Sequence, residues 1–178
     1  MSTFATARLR ARPVTVDDVP LFERLWGDER VGRTLGGTRD RAQVEQALVD
    51  AVSHWRDRGF GRWVLHDGGE FVGTVKLAHC DIEGQPEIEL GYAVLPEHWG
   101  AGYATEGSAG ALAHARDVVG LDEVMAFALV SNEASLAVMR RLGMRECPER
   151  AFQHPALPEG HPLRWHVMHV IDRRDWMV

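Results

Sequence analysis

Between Arg41 and Gly59 the apolar residues Val44, Ala47, Leu48, Ala51, Val52 and Trp55 recur at i, i+3, i+4, i+7, i+8 and i+11. That spacing is one stripe of an amphipathic helix, and Gly59 stops it. Upstream, Arg8–Val14 alternates Leu9 and Ala11 with arginines and predicts a strand. Thr15-Val-Asp-Asp18 then reads as a capping box opening a helix through Trp26. Arg62–His66 and Glu70–His79, rich in β-branched and aromatic residues and joined by Asp67-Gly-Gly69, predict a hairpin. A further strand is expected over Glu87–Val94, a helix over Gly102–Val119, and strands over Glu123–Val130, Met144–Arg150 and Leu163–Ile171. Asn132–Leu142 reads as a short helix closed by Gly143, and Phe152–Pro162 as a loop rich in Pro and His. Gly107 and Gly110 each cost their helix about 1 kcal/mol relative to Ala. The order β-α-α-β-β-β-α-β-α-β-β predicts one α/β domain over residues 1–178, its ordered core spanning about 7–176. Its sheet is mixed and mostly antiparallel, about seven strands flanked by about four helices.

At 178 residues, with 45% hydrophobic and 26% charged, the chain has the ordinary composition of one globular domain, which excludes disorder and fibrous repeats. There is no internal repeat, low-complexity tract or linker. The formal net charge of −6 speaks against a nucleic-acid partner, which calls for a basic face. Cys80 and Cys147, the two cysteines, form neither a CxxC pair nor a disulfide framework and are expected as reduced thiols. No apolar run approaches the ~18–20 residues that span a bilayer, and Met1–Arg8 lacks the apolar core of a signal peptide. A cytoplasmic protein without a membrane partner is expected; a homodimer stays open, because surface and interface stripes read alike.

The sharpest local signal is Trp99-Gly-Ala-Gly-Tyr-Ala-Thr-Glu106, small residues entering a helix after a Pro-containing turn. Gly100, Ala101, Gly102 and Ala104 leave backbone amides uncovered where the helix dipole favours an anion. No Lys follows, so this is no P-loop, and Thr105 stands where a dinucleotide fingerprint has Gly or Ala. A tight turn without a ligand remains the alternative. The strand before it carries Gly91, which suggests a bulge or a close backbone approach. Between Leu77 and Ala115 there is no Lys or Arg, whereas Asp81, Glu83, Glu87, Glu89, Glu97 and Glu106 are acidic. These carboxylates are either solvated or form a face that attracts an amine, with Glu89 in the same cleft as Val94. Asn132 suits an N-cap; Ser135, one turn on, is either exposed or reserved for another task. His166 and His169 lie an odd number apart on a strand and cannot chelate together, so no metal is expected. Trp26 and Trp55 are either core residues or walls of a cleft.

Taken together, these motifs resemble the GNAT superfamily of acetyl-CoA-dependent N-acetyltransferases, in its RimJ/RimL-like branch, which acetylates N-termini of ribosomal proteins. The similarity runs from Ala7 to Trp176 through Arg8–Pro13, Phe71–Val75, Glu89-Leu-Gly-Tyr92, Trp99–Glu106, Asn132…Ser135…Arg141-Leu-Gly143 and Arg164…Asp175-Trp176. The resemblance implies that Trp99, Gly100, Ala101, Gly102, Tyr103, Ala104 and Thr105 hold the pyrophosphate of the cosubstrate acetyl-CoA. It implies that Ala93, Val94 and Leu95 pair with the pantetheine arm, as an added strand would, and that Asn132 and Ser135 line the arm near the thioester. Two positions depart from the pattern: Trp99 stands where Gln or Arg is usual, and Met139 where many members carry a Tyr acid. An amine would attack the thioester directly, with Glu89 as general base through a water, the Val94 amide as oxyanion donor and Ser135 near the leaving thiolate. At neutral pH roughly one α-amine in ten is unprotonated, against one Lys in a few thousand, so an α-amine needs only a modest base. The acceptor expected by resemblance is an N-terminal Ala or Ser. A small amine (amino acid, polyamine, aminoglycoside) and a non-catalytic acyl-CoA-binding module are the alternatives. Thr34–Gly37 and the Phe152–Pro162 loop are the expected acceptor-selecting segments, since loops on a rigid scaffold carry specificity.

Overall fold

The computed structural model describes residues 2–154, 158–161 and 163–176; part of the predicted Phe152–Pro162 loop (155–157 and 162) lies outside them. A short β1 (Phe4–Ala5) precedes β2 (Leu9–Pro13), then come α1 (Val19–Trp26), α2 (Glu29–Gly32), α3 (Arg41–Arg58), β3 (Arg62–Asp67), β4 (Glu70–Ile82) and β5 (Gln85–Val94). The second half holds α4 (Tyr103–His114), β6 (Glu123–Leu129), α5 (Glu133–Arg141), β7 (Arg145–Glu146), β8 (Phe152–Gln153) and β9 (Trp165–Asp172). The strands form one nine-stranded mixed sheet in the order β1-β2-β3-β4-β5-β6-β9-β7, with β8 on β9. Every neighbouring pair is antiparallel except β5 with β6. The two strands beyond the expected seven are the short pieces β1 and β8, and the added helix is the single turn α2.

Three local expectations need correction. The hairpin β4–β5 runs farther than predicted, because Glu83 (φ +53°) and Gly84 (φ +83°) make a two-residue turn whose twist matches the strands. The strand expected over Met144–Arg150 shrinks to Arg145–Glu146. Pro148 lacks an amide for the ladder and the chain turns into a 3-10 segment there, Cys147 making the last bond with its N–H to the Met168 carbonyl at 2.8 Å. The helix expected to Val119 leaves α geometry after His114 and finishes in a wider π turn up to Gly120 (φ +79°).

Helix caps agree with the chain's signals. Asp40 Oδ1 accepts from the Gln43 amide and Gln43 Oε1 from the Asp40 amide, both at 2.9 Å, a reciprocal box opening α3. The Thr15 amide donates to Asp18 at 2.8 Å, and Arg12 adds a two-pronged ion pair to the same carboxylate. The main core lies between sheet and helices. Trp55 of α3 stands edge-on to Trp63 at 4.9 Å while its Nε1 donates to the Arg62 carbonyl at 2.8 Å. Helix α4 sits so close to the sheet that a Cβ at Gly107 would lie 2.6 Å from Leu65 Cδ1, and one at Gly110 would run into the Phe4 ring. The two glycines that weaken α4 as a helix are thus what lets it dock.

Candidate active site

The sheet opens where its two halves meet. Strands β5 and β6 pair only at Glu89 and Met125 and then part toward Val94 and Leu129. The Leu95 amide donates to the Val72 carbonyl at 3.0 Å, so strand alternation turns the amides of Ala93 and Leu95 toward β4 and those of Tyr92 and Val94 into the opening. Of Ala93, Val94 and Leu95, only Val94 presents its backbone there, and Tyr92 joins it. The Val94 carbonyl accepts from Trp99 Nε1 at 2.8 Å, leaving its N–H directed into the gap.

The loop that follows is built for bare amides. Gly100 (φ +78°) and Gly102 (φ +83°) adopt left-handed backbone that L side chains rarely take, and no side chain caps α4. The amides of Tyr103, Ala104 and Thr105 belong to the helix's first turn and have no partner within it; the Glu106 amide makes the first helical bond, to Gly102 at 3.0 Å. Trp99 is 53% exposed at the loop's entrance, and Gly100 and Ala101 are exposed beside it. The Arg8 guanidinium stacks on the Tyr103 ring at 4.5 Å and ion-pairs with Glu106. Burial works against the Glu106 anion, but the Thr6 hydroxyl and Arg8 hold its carboxyl below the usual range. Tyr103 donates from its hydroxyl to Asp67 at 2.6 Å.

At the apex of the opening, Glu89 is half-buried and its Oε2 accepts from Lys76 Nζ at 2.7 Å. Gly91 is not a bulge, since the β4–β5 register runs unbroken past it. It is a close approach: a Cβ there would meet Lys76 Cε at 2.5 Å and Glu89 Oε1 at 3.0 Å, so the Lys76 chain crosses β5 over the glycine. Four of the six carboxylates of the expected acidic face are paired with cations from other elements. Glu89 pairs with Lys76, Glu97 with Arg24, Glu106 with Arg8, and Glu87 with Arg150. Sequence spacing along one strand shows none of these long-range partners.

Asn132 caps α5, its Oδ1 accepting from the Ser135 amide at 3.2 Å. Ser135 is not merely exposed, for its Oγ lies 2.8 Å from the Tyr92 hydroxyl, which also donates to the Ser135 carbonyl at 3.0 Å. Burial pushes the Tyr92 phenol up to about 12, with the Ser135 bond acting the other way. The sequence reading missed Tyr92 and Lys76. The available signal was alternation, which places Lys76 in one row with Gly91 and sets Tyr92 two residues from Val94.

Trp55 is core, but Trp26 lies between two cations, with the Arg39 guanidinium 4.4 Å and that of Arg62 5.1 Å from its ring. Cys80 sits within β4, and burial followed by the nearby Glu89 pushes its thiol up to about 12, which keeps it unreactive. His166 packs among Phe127, Phe152 and His154, while His169 belongs to the opposite side of β9. Thr34–Gly37 and the loop before β9 do meet: Gly36, Gly37, His161 and Leu163 help line a depression of about 320 Å³. No helix among the described residues is long and apolar enough to cross a membrane.

The parted strands β5 and β6 and the uncapped glycine-rich start of α4 together offer free main-chain groups that can pair with an extended ligand and hold an anion. The family model of the Acetyltransferase (GNAT) domain matches residues 8–145, and the chain belongs to that family. Over 98% of its length it is 34% identical to FsC-acetyl coenzyme A-N(2)-transacetylase of Aspergillus fumigatus, covering 78% of that protein. Among solved structures it is similar to RimJ of Mycobacterium smegmatis in complex with a CoA disulfide (TM-score 0.78, 21% identity, 96% of this chain and 84% of that one). It is equally similar to the ribosomal-protein-S5-alanine acetyltransferase of Vibrio fischeri (TM-score 0.78, 16% identity, 100% of each chain). The chain is an acetyl-CoA-dependent N-acetyltransferase acting on an amine, with acetyl-CoA as its cosubstrate.

Proposed function

We propose that the acceptor is an α-amine, of the kind offered by a protein N-terminus of the Ala or Ser type or by a small amino compound, and that transfer is direct. The observation that carries this reading is the half-buried Glu89 at the apex of the β5–β6 opening, on the strand that presents the free Val94 amide five residues farther on. The pyrophosphate of acetyl-CoA binds the amides of residues 99–105, and the pantetheine arm pairs with the backbone of Tyr92 and Val94. Asn132 and Ser135 flank the arm.

The amine nitrogen attacks the thioester carbonyl, and the Val94 N–H takes the developing oxyanion; such a donor contributes roughly 3–4 kcal/mol. Glu89 removes the amine proton through a water, with Lys76 fixing the carboxylate's orientation. As the C–S bond breaks, the thiolate, intrinsically near pKa 8.5 by analogy with Cys, leaves with little need of an acid. Tyr92 holds one proton and faces two acceptors, the Ser135 carbonyl and Oγ. When that proton sits on Oγ, the Ser135 hydroxyl is free to donate to the sulfur; when it sits on the carbonyl, Ser135 donates to Tyr92 instead. Ser135 therefore assists only part of the time, and Ser135→Ala lowers kcat less than about tenfold.

The test is a screen of N-terminal peptides, amino acids, polyamines and aminoglycosides for CoA release, with mass spectrometry of the product. Acetylation on an α-amine supports the reading; a product acetylated only on a side-chain amine, or no turnover with bound acetyl-CoA, overturns it.

A further inference from the structure

Most arginines of the chain, among them Arg8, Arg12, Arg24 and Arg150, end on a carboxylate. Among the described residues, Arg39 and Arg62 are two of those that do not, and the two that meet on one aromatic ring. The Arg39 amide is anchored to the Trp26 carbonyl at 3.0 Å and its guanidinium lies on the indole. Arg62 is half-buried beside Trp26 and Phe22, and its one side-chain hydrogen bond is a long one, 3.4 Å to the neutral Thr74 hydroxyl. The carboxylate that acts on Arg62 is Glu89, shared with Lys76, and a desolvated guanidinium with only a shared counter-charge is costly unless a ligand supplies more.

Arg62 also lies on the face of the sheet that carries Glu89. It pairs across the sheet with Lys76, which pairs with Gly91, and Lys76 reaches Glu89. The row thus holds two cations, Arg62 and Lys76, and the carboxylate of Glu89, which Lys76 already engages; Arg39 adds a third cation from outside the sheet, over Trp26. This local excess of positive charge occurs in a chain of net charge −6.

Building on the acetyltransferase reading above, we infer that Arg62 and Arg39 form an anion-binding wall beside Trp26, so that the acceptor amine carries a carboxylate or phosphate group. Two planar guanidiniums present forked donors that match either oxyanion. With strands about 4.8 Å apart, the anion sits one to two strand spacings from the amine, roughly 5–10 Å. The cations also raise the concentration of such acceptors at the cleft and leave polyamines and aminoglycosides disfavoured.

Matched acceptors that differ only in the anion test this. Glutamate α-amide against glutamine α-amide, O-phosphoserine amide against serine amide, and Ser-Glu against Ser-Gln amidated peptides are compared by kcat/KM for wild type, Arg62→Gln and Arg39→Gln. Calorimetric titration of the α-amides of N-acetylglutamate and N-acetylglutamine onto the CoA-loaded protein reads the wall without turnover, so a failure of the α-amine reading leaves the test intact. At least tenfold preference for the anionic member in one or more pairs, or in the titrated pair, falling to within about twofold in either variant, is the expected result; the responding pair identifies where the anion resides. Equal use of both members throughout, or a preference that survives both substitutions, overturns the inference. Arg62→Lys guards against loss of folding by keeping the charge over Trp26, and it retains part of the preference if the wall is real.

Discussion

Glu89 and Tyr92, three residues apart on β5, meet the site in different ways, one through its side chain and the other through both backbone and side chain. With Glu89 as base, Glu89→Gln lowers kcat/KM, and the loss shrinks as pH rises because more acceptor amine is already neutral; steady-state rates from pH 6.5 to 9.5 show this slope. A loss independent of pH removes Glu89 from that role. Tyr92 makes a statement about stability. Its phenol, held near 12 when folded, ionises near 10 when unfolded, so the folded state keeps a proton that the unfolded state releases. The resulting stabilisation is complete below pH 10 and fades as pH climbs through 12, by up to about 1.4 kcal/mol per pH unit. Urea melts of Tyr92→Phe at pH 9 and pH 11.5 will show a smaller fall than the parent chain. Glu89 and its strand are legible in the sequence, but the contacts of Lys76 over Gly91 and of Tyr92 with Ser135 are not, because both join positions whose distance depends on how strands and helices stack.

Among the elements, α4 carries two separate demands. Its N-terminus must stay open, so Gly102→Glu, which strains a backbone at φ +83° and brings a carboxylate to the amides, weakens acetyl-CoA binding at least tenfold in a titration while circular dichroism stays unchanged. Its body must lie close, so Gly107→Ala, which gains about 1 kcal/mol of helix propensity, loses about 1–3 kcal/mol from overlap with Leu65 and is destabilising overall. Chemical denaturation measures the balance. Helix α3 was fully legible, from its stripe to Gly59, since an 18-residue periodic segment with its own caps is a local object. Segment 144–150 was not, because its pairing with β9 depends on how Cys147 and Pro148 meet an edge and not on its own pattern.

For the molecule as a whole, the opening between β5 and β6 leaves two halves of one sheet joined by a single bridge. Acetyl-CoA laid along β5 supplies the missing strand contacts. At a concentration 100 times its Kd it stabilises the fold by about 2.7 kcal/mol, and amide exchange slows most at Tyr92, Val94 and residues 99–105. Hydrogen exchange with mass analysis checks both the size and the place; protection spread evenly over the chain speaks against binding in the opening.

What the chain settled alone was whatever repeats or caps within a few residues: the helix stripes, the hairpins, the glycine loop at 99–106 and, through the sum of its motifs, the GNAT fold. Charge partners were decided only by the tertiary structure. A run without Lys or Arg from Leu77 to Ala115 reads as an acidic face, yet Arg8, Arg24, Lys76 and Arg150 arrive from elsewhere to pair with four of its carboxylates, while Arg39 and Arg62 meet on Trp26 with no ion pair of their own among the described residues. Coulomb interactions follow distance through space, and only the folded sheet brings those charges within a few ångströms.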